Sequence, residues 1–320
     1  MLHHARRAVA VLALATLGLT GCASSSGGAK SADVLSQVKV SAGDGENAAP
    51  KVELTKTPLS ATATEKKILK EGKGAVVAKT DIVTVHAVVV NASDGKLIEE
   101  SFSGPTIGVD LGSDMTFAAL RSTLPGVKVG SQVLIAAPPK DALGDAGLDS
   151  RGIKGTDTMV FLVDLVSEVT PLAHAEGTEA PADPALPSVQ WHPDKAATIT
   201  IPKDTQAPGD LGAHVLIEGN GPELKSGDHV RVSYTGVLWG SGETFDSSMT
   251  RTPSFFDFAL GAGKVIPGWD KGLEGKKVGS RLLLVIPPGD GYGAAGQPSS
   301  KPPISGTDTL VFVVDILAAY

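Results

Sequence analysis

Gly155-Thr156-Asp157-Thr158-Met159-Val160-Phe161-Leu162-Val163-Asp164 recurs as Gly306-Thr307-Asp308-Thr309-Leu310-Val311-Phe312-Val313-Val314-Asp315. The β-branched run from Thr309 to Leu317 reads as a buried strand, so this is one strand written twice. Working outward, the match continues. Asp81 to Val85 and Asp228 to Val232 share a D-x-V-x-V spacing. Gly126-Val127-Lys128-Val129-Gly130-Ser131 answers Gly275-Lys276-Lys277-Val278-Gly279-Ser280, and Pro138-Pro139 answers Pro287-Pro288. The offset drifts from 147 to 151 residues, so short insertions separate two copies of one domain, at residues 65–169 and 198–320. Two copies mean tandem domains rather than a solenoid.

Each copy reads mainly as short strands. Val230, Val232 and Tyr234 alternate with Arg231, Ser233 and Thr235, the pattern of a half-buried strand. Arg281-Leu282-Leu283-Leu284-Val285-Ile286 is a continuous apolar run stopped by two prolines, which suits burial on both faces. Ser93-Asp94-Gly95 and Ser241-Gly242 are turn signals between paired strands. Helix is scarce; Gly268 to Leu273 is compatible with one short helix. The expected class is α+β, mainly β: an antiparallel sheet folded over a small helix, twice.

The 320 residues carry a net charge of −7, which excludes the basic footprint of a nucleic-acid binder. There is no G-x-S-x-G elbow, the seven histidines are dispersed, and the glycines of residues 289–296 lack a phosphate-loop lysine. No metal and no cofactor is expected. His214 and His229 read as solvated strand residues.

His3, His4, Arg6 and Arg7 precede an apolar run of 12 residues from Ala8 to Leu19, short of the roughly 20 that span a bilayer. Residues 1–21 are therefore read as a secretory leader. Leu19-Thr20-Gly21-Cys22 resembles a bacterial lipobox, which implies a diacylglycerol on Cys22, the only cysteine. That predicts a lipid anchor on the extracytoplasmic side of the cell membrane; two or more acyl chains hold stably where one does not. Residues 22–64 are rich in Ser, Ala, Gly, Lys and Thr and predict a disordered tether. Residues 170–197, with Pro181, Pro184 and Pro187, predict a stiff linker.

Ten of the 14 aromatic residues lie between Tyr234 and Tyr320. The second copy resembles the FKBP-type peptidyl-prolyl cis-trans isomerases from about Leu211 to Leu317. The matching stretches are Val232-Ser233-Tyr234-Thr235-Gly236, Phe245-Asp246-Ser247-Ser248, Val265-Ile266-Pro267-Gly268-Trp269, Gly291-Tyr292-Gly293-Ala294 and Thr309-Leu310-Val311-Phe312. The resemblance implies a half-barrel sheet wrapped around a short helix. It implies a pocket with Trp269 as floor and Tyr234, Phe245, Phe256, Val265, Ile266 and Phe312 as walls. Asp246, Tyr292 and the Ile266 amide supply polar rim contacts, with Asp246 either touching substrate or only bracing Arg251 and Tyr234. Phe258 and Trp239 read as core or surface. The segment Gln297 to Pro303 is polar where the family commonly places apolar residues.

The activity implied is isomerisation of X–Pro bonds in unfolded or folding secreted proteins, with macrolides as a further ligand class. A chaperone-like peptide binder with little isomerase activity is the alternative. In the first copy Ala87, Ile98, Glu99, Leu120 and Leu143 stand where the second has Tyr234, Phe245, Asp246, Trp269 and Tyr292; only Phe161 answers Phe312. That copy is expected to keep the fold without its pocket lining, and to isomerise poorly or not at all.

Overall fold

The computed structural model describes residues 33–44 and 48–320. The expected leader (residues 1–21), Cys22 with its lipid, and the first part of the expected tether lie outside the described residues. A 3₁₀ turn (Val34–Gln37) leads into the hairpin of β1 (Val38–Ser41) and β2 (Lys51–Leu54). The first repeat follows with β3 (Glu65–Lys70), β4 (Ile82–Asn91), β5 (Leu97–Glu100), β6 (Ile107–Asp110), α1 (Ala118–Thr123), β7 (Gln132–Ala137) and β8 (Met159–Val169). Its antiparallel sheet runs β3-β7-β8-β4, with β5 and β6 pairing successive halves of β4.

Three short strands then intervene: β9 (Gly177–Glu179), β10 (Ser188–Gln190) and β11 (Thr198–Thr200). The second repeat is β12 (Gly212–Gly219), β13 (His229–Leu238), β14 (Thr244–Ser247), β15 (Phe256–Ala259), α2 (Pro267–Leu273), β16 (Arg281–Ile286) and β17 (Leu310–Ala319). Its sheet runs β12-β16-β17-β13 with β14 and β15 on β13, the same plan as the first. The registers also agree: Ala87 faces Val163 across the first sheet as Tyr234 faces Val314 across the second. The architecture is the mainly β, antiparallel one that the strand patterns predict.

Strand alternation sends each continuous apolar run to both faces of its sheet. On β16, Leu282, Leu284 and Ile286 join the core beneath α2, while Leu283 and Val285 face the opposite side. On β7, Val133, Ile135 and Ala137 face α1 and Leu134 and Ala136 face away. Those outward faces need cover, and the segments read as spacers supply it. From residue 33 the expected tether is ordered: Val34, Leu35, Leu59 and Ala61 are buried against Val88, Val90, Leu134 and Leu162. The expected linker is likewise part of the second domain. Its Leu186 and Val189 pack on Leu283 and Val285, and β9 extends the sheet beyond β12. Low apolar content does not prevent order here, because a few well-placed residues suffice to cover a ready-made apolar face.

The repeats touch along equivalent strands. The buried Arg231 donates to both carboxylate oxygens of Asp257 at 2.8 and 2.7 Å and to Asp110 at 2.8 Å. Asp110 and Asp257 belong to the equivalent strands β6 and β15. Tyr320 lies against Gly108, where a Cβ would meet its ring at 2.5 Å.

Candidate active site

The Phe245-Asp246-Ser247-Ser248 stretch fixes Tyr234 before it builds any wall. Ser248 Oγ accepts from the Tyr234 amide at 3.0 Å and Ser247 Oγ donates to its carbonyl at 2.9 Å. Gly236, two residues on, leaves room for the rings: a Cβ there would meet Phe245 and Phe312 at 2.7 Å. Pro267 starts α2, because its fixed φ suits a first helical position, and it holds Ile266 extended at ψ 147°. Gly268 lets the helix close on the sheet, since a Cβ would strike Ile286 at 2.6 Å. Asp270 accepts from the amides of Gly261 and Gly263 at 2.8 and 3.2 Å, which steadies the loop carrying Val265 and Ile266.

These elements bring Tyr234, Phe245, Asp246, Phe256, Val265, Ile266, Trp269, Tyr292 and Phe312 to one cavity of about 520 Å³. Trp269 is buried and ringed edge-on by its neighbours. Tyr234 lies 5.1 Å from it at 87°, Phe312 5.3 Å at 86° and Phe256 6.3 Å at 75°. Such edge-to-face pairs are worth about 0.5–1.5 kcal/mol each beyond area burial. The indole is thus braced by its surroundings, as a floor must be. Its Nε1 is buried without a protein hydrogen-bond partner, one of two such side-chain atoms among the described residues. Phe258 and Trp239, expected in the core or at the surface, are both buried.

The rim is polar. Tyr234 Oη donates to Asp246 at 2.5 Å, and Arg251 donates to both the Tyr234 hydroxyl and, at 3.1 Å, Asp246. Asp246 therefore braces the rim and is itself half-exposed at the cavity mouth. Burial, then the hydrogen bond and charge of Asp246, push the Tyr234 phenol well above its usual pKa. Burial and the Asp246 charge push Tyr292 in the same direction. Both phenols are neutral donors throughout the physiological range. Sequence reasoning missed Lys264 and Pro267, which also line the cavity. Proline at a helix start was a legible signal; an exposed lysine offers none. The polar Gln297–Pro303 segment does not line it.

The model of the FKBP-type peptidyl-prolyl cis-trans isomerase family matches residues 74–166 and 221–317, more than half of the chain. The chain belongs to that family. Among similar proteins is an FK506-binding protein of Streptomyces anulatus, 45% identical over 35% of this chain and 89% of the relative. A probable FK506-binding protein of Corynebacterium glutamicum is 43% identical over 35% and 90%. The peptidyl-prolyl cis-trans isomerase FKBP15-3 of Arabidopsis thaliana is 44% identical over 38% and 83%.

The first FKBP domain lacks the aromatic side chains of the second at the equivalent positions, as expected, yet it keeps a cavity. Ala87, Ile98, Glu99, Leu120, Leu143 and Phe161 do converge, on a cavity of about 430 Å³. The aromatic box is gone and the cavity is not. Mainly aliphatic walls around Phe117 and Phe161 replace it, and the hydroxyls of Tyr234 and Tyr292 have no counterpart at Ala87 and Leu143.

Proposed function

We propose that the second FKBP domain is the isomerase site, with Tyr234, Phe245, Asp246, Phe256, Val265, Ile266, Trp269, Tyr292 and Phe312 as its residues. Its substrates are X–Pro bonds of folding secreted proteins, and Cys22 carries the lipid that holds the chain at the outer face of the cytoplasmic membrane. The observation that carries the site is the convergence of all nine residues on one aromatic cavity with a neutral phenolic rim.

The barrier to rotation is loss of amide resonance, about 18–20 kcal/mol. X–Pro exchange takes tens to hundreds of seconds unaided, slow enough to limit folding. A planar amide has a larger dipole than a twisted one. Transfer into an apolar cavity therefore disfavours the planar ground state relative to the twisted transition state. A pyrrolidine ring on the Trp269 floor is enclosed by Phe245, Phe256 and Phe312. The Tyr292 hydroxyl and the Ile266 amide, ahead of the first helical turn where N–H groups lack intrahelical acceptors, are the donors for flanking carbonyls. Each tenfold of rate needs about 1.4 kcal/mol of such differential stabilisation. None of this requires a nucleophile.

An exchange assay on an X–Pro peptide tests the site. Phe245→Ala and Trp269→Leu are each expected to lower the rate by about tenfold or more, a loss of about 1.4 kcal/mol of transition-state stabilisation. Unchanged rates in both folded variants would remove the pocket from the reaction. A mass spectrum of the mature protein tests the anchor: a diacylglyceryl Cys22 is expected, and an unmodified thiol overturns it.

A further inference from the structure

Isomerisation in the second domain leaves the cavity of the first without a task. With aliphatic side chains in place of most of the aromatic ones, about 430 Å³ stays open, within the size range of ligand pockets. Its walls are mainly hydrocarbon, with Ala87, Ile98, Leu120, Leu143 and Met159 standing around the ring pair of Phe117 and Phe161. The charged groups at its lining are Glu99 and Arg151, and they are paired at 2.5 Å. Arg151 also donates to the Ile98 carbonyl at 2.9 Å, which commits it further. A bound anion would find its cation already taken and a carboxylate beside it. The occupant is therefore uncharged and recognised by burial rather than by hydrogen bonding. Exposed apolar groups continue outward from the cavity: Met115 is 91% exposed, and Ile107 and Leu148 are 38% each. A flexible thioether at the lip adapts to partners of varied shape.

Strand β6, which contributes Ile107 and Val109 to this cavity, is the strand held to the second domain. Arg231 ties its Asp110 to Asp257 on β15, the equivalent strand whose Phe256 lines the second cavity. The two cavities thus have wall strands joined through one side chain. An extended polypeptide long enough to reach both mouths would gain effective concentration at the second cavity once a side chain occupies the first. We infer that the first FKBP domain binds uncharged aliphatic or aromatic side chains of unstructured polypeptide, whether or not proline is present. The site stands independently of catalysis in the second domain.

The test uses the intact mature chain with labelled Met, Ile, Leu and Val methyl groups. The probe is a capped, proline-free peptide, acetyl-Gly-Ser-Leu-Phe-Leu-Ser-Gly-amide. Saturable shifts of the Met115 and Met159 methyl signals are expected. Ala87→Phe, which fills the cavity, and Leu143→Asn, which puts an amide at the half-buried wall, are each expected to weaken binding about tenfold, with X–Pro exchange by the second domain unchanged. Two independent variants guard against misfolding of one. Absent shifts, shifts confined to the second cavity, or wild-type affinity in both variants would overturn the proposal. So would binding of decanol without binding of the peptide, since the site would then serve small apolar molecules.

Discussion

Three tyrosines, Tyr234, Tyr292 and Tyr320, make up the phenols of this chain, and all three have a raised pKa. For Tyr320 burial first, then the charge of Asp257, pushes it up to about 12. A raised phenol favours folding below the unfolded value of about 10, and that contribution is lost as pH climbs through the folded pKa. Titration at 295 nm is therefore expected to run above pH 10 in the native protein, most clearly for Tyr234 and Tyr320, with stability falling over the same range. A full-amplitude step at pH 10 would mean exposed phenols and no braced rim. The site itself was largely legible at this scale. Tyr234, Phe245, Trp269 and Phe312 sit in the short stretches that carry the family resemblance, which implied a pocket where residue types alone would read as core, and the structure brings them to one cavity. The bracing role of Asp246 was legible only as one of two alternatives, because it depends on where Arg251 and Tyr234 place their side chains.

Among elements, strands were the easier part and their covers the harder. The continuous run Arg281 to Ile286 already implied a strand buried on both faces. What covers the far face was not legible, because residues 33–64 and 170–197 have the composition of spacers. Their order comes from the sheet beneath them. Leu35→Ala is thus expected to cost the first domain about 2–5 kcal/mol, as for other buried leucines. Faster amide exchange along β4 and β7 reads it, and tryptophan fluorescence does not, since Trp191, Trp239 and Trp269 all lie beyond the first repeat. Unaltered protection there would return the segment to the status of a tether.

At the scale of the whole molecule, two domains of one plan are held by a buried arginine between equivalent aspartates. Removing one partner of a fully buried ion pair costs roughly 3–5 kcal/mol; here the cost is smaller, because Asp257 and Asp110 keep part of their surface in water. Arg231→Leu leaves Asp110 and Asp257 facing each other without a cation. The expected result is two folded domains that tumble separately, seen as diverging rotational correlation times in NMR relaxation; a single shared correlation time would show that other contacts carry the interface. The strand periodicities were written in the sequence as local patterns and the repeat as two stretches that match at a distance, while the aromatic pocket was legible only through the resemblance to a known family. The covers on the outer sheet faces, the open aliphatic cavity and the Arg231 clasp were decided only in three dimensions. Each depends on which distant surfaces meet and how far apart the backbone holds them, and no local composition encodes that distance.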